Sequence, residues 1–280
     1  MNKKSETQKF WNNNPCCGDW TSIDKLISWR NFTEPYYQKL LSKIDTKGKV
    51  LEVGCGQGIE FIQNLEKGIE IIGFDYSRES LKKTKLHYLE KIKRGELKNK
   101  KCIIMNGDAE NLPFMDKSFS FVYSLGVLHH TPNTKKGIDE IHRVLKHDGL
   151  AIVMLYNRLS WRSFPISFMR FVSKFLDFIL RTDKLIYRSL KKKYERLTDH
   201  VAGTAMLEMF GCPVLKMYSA RNLRKMFSNF SSVEIECYSS NLFQLSYFLP
   251  LGKKLTNIMR RVDKKVENKL GFHIVAICKK

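Results

Sequence analysis

Short apolar runs recur along this chain and alternate with turn residues and with stretches of helical periodicity. The first run, Val50–Val53, leads into glycines and then into a helical pattern in which Ile59, Ile62 and Leu65 are apolar. Short apolar runs bounded by turn residues are typical of buried strands. The pattern predicts strands over residues 50–53, 69–75, 102–105, 151–156, 233–238 and 272–278, and one more that begins at residue 119.

The glycines after the first predicted strand occupy alternate positions, as Gly54, Gly56 and Gly58. Glycine permits positive φ and lets a ligand approach the main chain closely. A strand, a glycine turn and a helix N-terminus together form a nucleotide-binding corner. The third glycine comes one residue earlier than in the dinucleotide fingerprint, and Glu52 lies two residues before the first. This spacing argues against an NAD or FAD site.

The acid and the glycines resemble motif I of the class I S-adenosylmethionine (SAM)-dependent methyltransferases. The resemblance implies that SAM is the cofactor. It also implies that the first group of cofactor-binding residues is Glu52, Gly54, Cys55, Gly56 and Gly58.

Asp75 ends the second predicted strand, 75 − 54 = 21 residues after the first glycine. A carboxylate at this point can accept hydrogen bonds from the ribose hydroxyls of an adenosine. The ring of Tyr76 is then next to the adenine. The alternatives are an Asp that caps the helix starting near Ser77 and a Tyr that belongs to the core. After motif I, the ribose role of Asp75 is favoured.

Residues 106–114 look like the G-D-A-x-x-L-P-F segment of the methyltransferase type 11 family, which includes ubiquinone- and menaquinone-pathway enzymes. By this resemblance Asp108 accepts from the adenine amino group and the Ala109 N–H donates to a ring nitrogen. Taken alone, Asp108 would be a turn former. In the loop after the fourth strand, Ser124 and Leu125 are implied to face the methionine end of SAM. The family usually has Asp where this chain has Ser120.

The resemblance covers about residues 47 to 156 and implies both fold and activity. The expected fold is one α/β domain with a doubly wound, mostly parallel, seven-stranded sheet whose last strand is antiparallel. We expect an N-terminal helical cap at residues 1–46 and a SAM-binding core at residues 47–156. A helical insertion at residues 157–211 and the rest of the sheet at residues 212–280 should follow. The expected activity is methyl transfer from SAM to an O, N or C atom of a small or lipophilic acceptor. A nucleic-acid methyltransferase and a non-catalytic SAM-binding regulator are the alternatives.

The chain carries 49 Lys and Arg against 28 Asp and Glu, a formal net charge of +21. This excess indicates an anionic partner, either nucleic acid, an anionic lipid surface or an acidic small molecule, unless it reflects only a lysine-rich proteome. The seven cysteines form no C-x-x-C pair and no zinc motif is present, so we expect no metal and a reduced, cytoplasmic setting. We find no signal peptide and no membrane-spanning run, and contact with the inner membrane surface stays open.

The predicted insertion begins with a regular amphipathic pattern. Its apolar positions are Phe164, Phe168, Phe171, Val172, Phe175, Leu176, Ile179 and Leu180. Arg170, Lys174 and Arg181 lie opposite, and Lys191–Lys193 follow. This spacing predicts a helix with an aromatic stripe and a basic face. The stripe can cover the acceptor as a lid, enter a membrane surface, or pack on the sheet.

His130 is the candidate catalytic residue, because imidazole can act as a general base near neutral pH. The alternative is that the adjacent histidines, His129 and His130, only shape the loop. Large aromatic residues near the N-terminus can either cover the cofactor or belong to a helical cap. These residues are Trp11, Trp20, Trp29, Tyr36 and Tyr37.

Overall fold

The computed structural model describes residues 2–16, 22–44, 47–97, 102–182, 184–186, 188, 210–240 and 253–280. The strands are β1 (Val50–Val53), β2 (Ile71–Asp75), β3 (Ile103–Asn106), β4 (Phe119–Leu125), β5 (Leu145–Asn157), β6 (Met217–Tyr218), β7 (Ser232–Tyr238) and β8 (His273–Lys279). The helices are α1 (Lys3–Asn13), α2 (Ile23–Thr33), α3 (Tyr36–Leu41), α4 (Ile59–Glu66), α5 (Arg78–Lys93), α6 (Thr134–Val144), α7 (Ser163–Ile179), α8 (Ala220–Met226) and α9 (Lys253–Leu270).

The strands form one sheet in the order β3-β2-β1-β4-β5-β8-β7. Neighbours from β3 to β5 pair in parallel, whereas β8 pairs antiparallel with both β5 and β7. The predicted doubly wound sheet with an antiparallel last strand is therefore confirmed. The structure adds an eighth strand, β6, whose two residues pair with the end of β5. Two residues are too few to show a strand pattern in the sequence.

Helices cover both faces of the sheet. Apolar residues of α2, α3 and α4, among them Leu26, Leu40 and Ile62, form one buried layer. Ile138 of α6 and Leu223 of α8 belong to the layer on the other face. The strand order reverses between β1 and β4, and ligands of open α/β sheets bind at this switch point, beyond the carboxyl ends of the strands.

The N-terminal segment is helical in the part of it that the structure describes, as α1, α2 and α3. Helix α1 packs along α5, and the Oγ of Ser77 donates to the Trp11 carbonyl at 3.2 Å. Trp20 lies outside the described residues. Helix α1 therefore sits directly over the loop that follows β2.

Helix α7 confirms the helix predicted at the start of the insertion, but its orientation is unexpected. The side chains it buries are Ser163 and Ser173, whereas Phe164 and Phe171 are 77% and 66% exposed. Its apolar stripe therefore faces outward and its small polar positions face the protein. The lysines at 191–193 lie outside the described residues. None of the described helices combines the length and apolar character needed to span a bilayer.

Candidate active site

A cavity lies beyond the carboxyl ends of β1, β2 and β4, and its empty space, including the part that is open to solvent, is about 1140 Å³. Its floor is the glycine turn after β1, and its walls are the loops after β2, β3 and β4. Helix α1 closes it from above with three side chains, Lys4, Thr7 and Trp11. The cavity thus occupies the place where the switch point of the sheet predicts a ligand.

The glycine turn is shaped for close approach. Gly54 and Gly56 have φ values of 85° and 54°, in the left-handed region that favours glycine. A Cβ at Gly54 would lie 2.1 Å from Val127 Cγ2, whereas a Cβ at Gly56 would meet no atom within 4 Å. Gly56 therefore leaves open space above its main chain on a cavity wall. The turn fits the nucleoside part of SAM, because a ligand can lie against bare backbone there.

Asp75 anchors this turn. Its Oδ2 accepts from the Gly56 N–H at 2.8 Å, and its Oδ1 accepts from the Ser77 N–H at 2.7 Å. Burial raises the pKa of Asp75, and the backbone hydrogen bonds oppose that rise. The N–H groups of Gly56, Tyr76 and Ser77 use three of the roughly four acceptor positions of this carboxylate, which leaves capacity for a ligand. Asp75 does not cap α5, which was the alternative role considered for it. Ser77 caps that helix by accepting from the Ser80 N–H.

Asp108 is already engaged by α1. The Lys4 ammonium lies 2.5 Å from Asp108 Oδ2 and 2.7 Å from Glu110 Oε2. Burial alone would lower the pKa of Lys4, but hydrogen bonds to the two carboxylates raise it. The other oxygen of Asp108 accepts from the Glu110 N–H at 2.9 Å. An adenine amino group that binds Asp108 must therefore share this carboxylate with Lys4.

The cavity brings together most of the predicted site residues. Those that line it are Glu52, Gly54, Cys55, Gly56, Asp75, Tyr76, Asp108, Ala109, Leu125 and His130. Their individual contacts with SAM stay predictions.

Gly58 and Ser124 are not among the residues that line the cavity. A Cβ at Gly58 would lie 2.6 Å from Thr84 Cγ2, so this glycine allows α4 to pack against α5. Ser124 is fully buried within β4. Because successive side chains of a strand point to opposite faces, Ser124 points away from the face that Leu125 presents.

His130 lies at the cavity in a short turn, Leu128–His130. Its Nδ1 is 3.0 Å from the Val214 carbonyl oxygen, which can only accept, so we assign the proton to Nδ1 and a lone pair to Nε2. Burial lowers the pKa of His130 to about 4. The ring of Trp11 packs against it with centroids 4.9 Å apart. At neutral pH, His130 is thus an uncharged proton acceptor.

His129 has a different environment. It is fully buried, its ring packs at a tilt against Tyr156 with centroids 4.0 Å apart, and burial lowers its pKa well below the usual value. It does not line the cavity. A role in shaping the loop fits His129, whereas His130 is placed for chemistry.

Sequence reasoning missed one charged wall of the cavity. Glu60 of α4, Arg30 of α2 and Tyr37 of α3 line it. Arg30 Nε lies 3.3 Å from Glu60 Oε1, and the guanidinium carbon lies 5.3 Å from the centre of the Tyr37 ring. Glu60 had a weak signal, as an acid two residues after the glycine turn. Arg30 had none, since tertiary packing alone brings the N-terminal helices to the cavity, whereas Tyr37 is one of the N-terminal aromatic residues expected either as a cover of the cofactor or in a helical cap.

A cavity at the switch point of a parallel sheet, with a glycine turn and an acid after the second strand, defines a nucleotide-cofactor-binding α/β protein. Residues 51–153 match the family model described as "Methyltransferase domain". The chain is 34% identical over 142 residues to a ubiquinone biosynthesis O-methyltransferase of Idiomarina loihiensis, covering 50% of this chain and 54% of the relative. A demethylmenaquinone methyltransferase of Staphylococcus epidermidis is 29% identical over 154 residues, covering 53% and 58%.

The matching residues, 51–153, make up a class I SAM-dependent methyltransferase domain of the type 11 family, whose cofactor is SAM. The chain spans about half of the length of the curated relatives it matches, 46%, 54% and 58% for three of them.

Solved structures agree in fold. A geranyl diphosphate C-methyltransferase of Streptomyces coelicolor superimposes with a TM-score of 0.56 at 11% identity, covering 100% of this chain and 98% of that one. A SAM-dependent methyltransferase of Thermotoga maritima gives a TM-score of 0.52 at 15% identity, covering 97% and 99%. At these identities the likeness shows the fold alone.

Proposed function

We propose that the protein transfers a methyl group from SAM to a small lipophilic acceptor and releases S-adenosylhomocysteine. The observation that carries this proposal is the apolar wall beside His130. It consists of Trp11, Leu125, Val127 and Pro132. An apolar wall with one proton-accepting group suits an acceptor that has a ring or chain and one polar atom. The relatives named for ubiquinone and menaquinone methylation support an acceptor of this type.

The residues of this chain contribute position and electrostatics. When bound, SAM supplies a methyl group on a positively charged sulfur. Asp75 and the glycine turn fix the nucleoside, and alignment of the acceptor atom with the methyl group supplies much of the rate. We infer that His130 Nε2 accepts the proton of an acceptor hydroxyl. Trp11 shields this end of the cavity from water, which strengthens the electrostatic interactions within it.

Incubation with SAM labelled in its methyl group and a cell extract tests this function. We expect the label to enter the organic-soluble fraction, with an equal amount of S-adenosylhomocysteine formed. An Asp75→Asn variant serves as the matched control for dependence on the cofactor site. Label that nuclease treatment releases would favour a nucleic-acid methyltransferase instead. If no fraction of the extract leads to formation of S-adenosylhomocysteine, a SAM-binding regulator is favoured.

We also propose that the outward face of α7 contacts an anionic membrane surface. The four phenylalanines of its stripe, Phe164, Phe168, Phe171 and Phe175, are 77%, 55%, 66% and 51% exposed. An exposed aromatic face of this extent marks an interaction site. The chain's net charge of +21 favours anionic lipid as the partner. A lid or plain packing would instead require the stripe to face the protein.

Co-sedimentation with vesicles containing phosphatidylglycerol tests the membrane contact. Phe168→Ser with Phe171→Ser should weaken binding at least about tenfold, because each Phe contributes about 1.5–3 kcal/mol when fully buried. Salt should weaken binding too, since charges are screened over about 8 Å at physiological ionic strength. Phe32→Ser is the matched control, because Phe32 is 86% exposed on α2, away from this stripe. Absence of binding even at low salt would refute the contact.

A further inference from the structure

The charged wall of the cavity holds more negative than positive charge. Glu52 and Glu60 both line the cavity and are only 4% and 6% exposed. Arg30 faces Glu60 and also pairs through Nη1 with Glu34. In the described part of the chain, three carboxylates thus face one guanidinium.

The hydrogen bonds of the two cavity carboxylates leave capacity for a ligand. Glu52 Oε2 accepts from the Tyr123 hydroxyl at 2.9 Å, and that hydroxyl accepts from Asn64 Nδ2 at 2.9 Å. Glu60 Oε1 is buried and accepts no hydrogen bond from the described residues, although Arg30 Nε is 3.3 Å away. A buried carboxylate oxygen with unused capacity calls for a cation or a proton.

The neighbouring ionisable groups do not supply the missing positive charge. His273 of β8 lies 3.8 Å from Glu34, but burial lowers its pKa to about 4, so it is neutral at pH 7. Asp75 of β2 adds negative charge. The other ionisable neighbours are neutral, because burial raises their pKa well above the usual value. They are Tyr36, Tyr37, Tyr123 and the thiol of Cys55.

These surroundings determine the charge of the pair. Burial, followed by repulsion from Glu60, raises the pKa of Glu52 well above its usual range. Burial also raises the pKa of Glu60, although Arg30 opposes this rise. Two interacting carboxylates of this kind titrate as a unit, with one proton held far more tightly than the other.

We propose that Glu52 and Glu60 form the subsite for the ammonium group at the amino-acid end of the cofactor, and that binding releases one shared proton from the pair to solvent. The inference rests on the proposed SAM-dependent function. The ammonium group stays protonated and replaces the lost proton as the positive charge between the carboxylates. The charge of the carboxylate pair together with its proton or its bound ammonium group is therefore the same before and after binding, which avoids the cost of an unpaired buried charge between Glu52 and Glu60.

Calorimetry with S-adenosylhomocysteine at one pH, in two buffers of different ionisation enthalpy, counts the protons exchanged. At about pH 6 we expect release of up to about one proton per bound molecule. The affinity for S-adenosylhomocysteine should then rise with pH, by up to about tenfold per pH unit. 5′-Methylthioadenosine lacks the amino-acid end and should bind without this release. The comparison uses the wild-type protein and needs no variant to fold.

A Glu60→Gln variant should release fewer protons than the wild type, because one of the two carboxylates that share the proton is gone and repulsion no longer adds to the burial that raises the pKa of Glu52. Glu70→Gln is the matched control, since the Glu70 side chain is 66% exposed and pairs only with Lys49 among the described residues. Normal S-adenosylhomocysteine binding with no proton exchange between about pH 5.5 and 8 would overturn the inference. Equal release with 5′-methylthioadenosine would also overturn it, by placing the proton elsewhere. Failure of both molecules to bind would overturn the cofactor site itself.

Discussion

Replacing Asp75 by alanine should weaken S-adenosylhomocysteine binding at least about tenfold. The change removes the proposed ribose acceptor and leaves the Gly56 N–H without its 2.8 Å partner, so the glycine turn also loses its anchor. Loss of one such buried hydrogen-bonding partner costs about 1–3 kcal/mol. Isothermal titration of the variant and the wild type measures the effect directly.

Asp116→Ala is the matched control for this change. Asp116 is a carboxylate on the surface, with a side chain that is 69% exposed and paired with Arg143. Its loss should leave S-adenosylhomocysteine affinity unchanged. An Asp75→Ala protein that melts cooperatively and still binds with wild-type affinity would contradict the assignment of this site.

Replacing His130 by alanine should lower the turnover number by about 10²–10⁴-fold, the usual contribution of a general base, and leave S-adenosylhomocysteine affinity within a few-fold. Because burial lowers the pKa of His130 to about 4, the imidazole is already deprotonated above about pH 5. The turnover number of the wild type should therefore show no inflection from this group between about pH 5.5 and 8. Steady-state kinetics over that range check both statements.

His147→Ala provides the comparison, since His147 is exposed at the start of β5. It should retain full activity. Full turnover of His130→Ala on the true acceptor would show that His130 serves only to shape the loop. Its contacts with Trp11 and the Val214 carbonyl would then explain its burial.

Local sequence signals were sufficient to predict that the glycine turn, Asp75 and Asp108 meet at one cavity. The glycine turn, Asp75 and Asp108 each follow a strand, and parallel strands bring their carboxyl ends to one edge of the sheet. Gly58 shows the limit of this approach, because a motif does not reveal which glycine faces a ligand. At Gly58 the constraint comes from Thr84 of α5, 26 residues away in the sequence (84 − 58 = 26).

The charged wall could not be predicted from the sequence, and a cover over the cofactor was only one of two alternatives for the N-terminal aromatic residues. Arg30 and Lys4 reach the cavity only because the N-terminal helices pack over the sheet, and no periodicity specifies that arrangement. The amphipathic pattern of α7 predicted a helix but not its orientation. An apolar stripe ordinarily faces the core, whereas here Ser163 and Ser173 do.

A crystal structure of the complex with S-adenosylhomocysteine would locate the cofactor among these residues. We expect the ligand in the cavity under α1, with its ribose hydroxyls within hydrogen-bonding distance of Asp75, its adenine beside Asp108 and its amino-acid end at Glu52 and Glu60. A ligand bound elsewhere, or in this cavity with its ribose away from Asp75, would contradict this expectation.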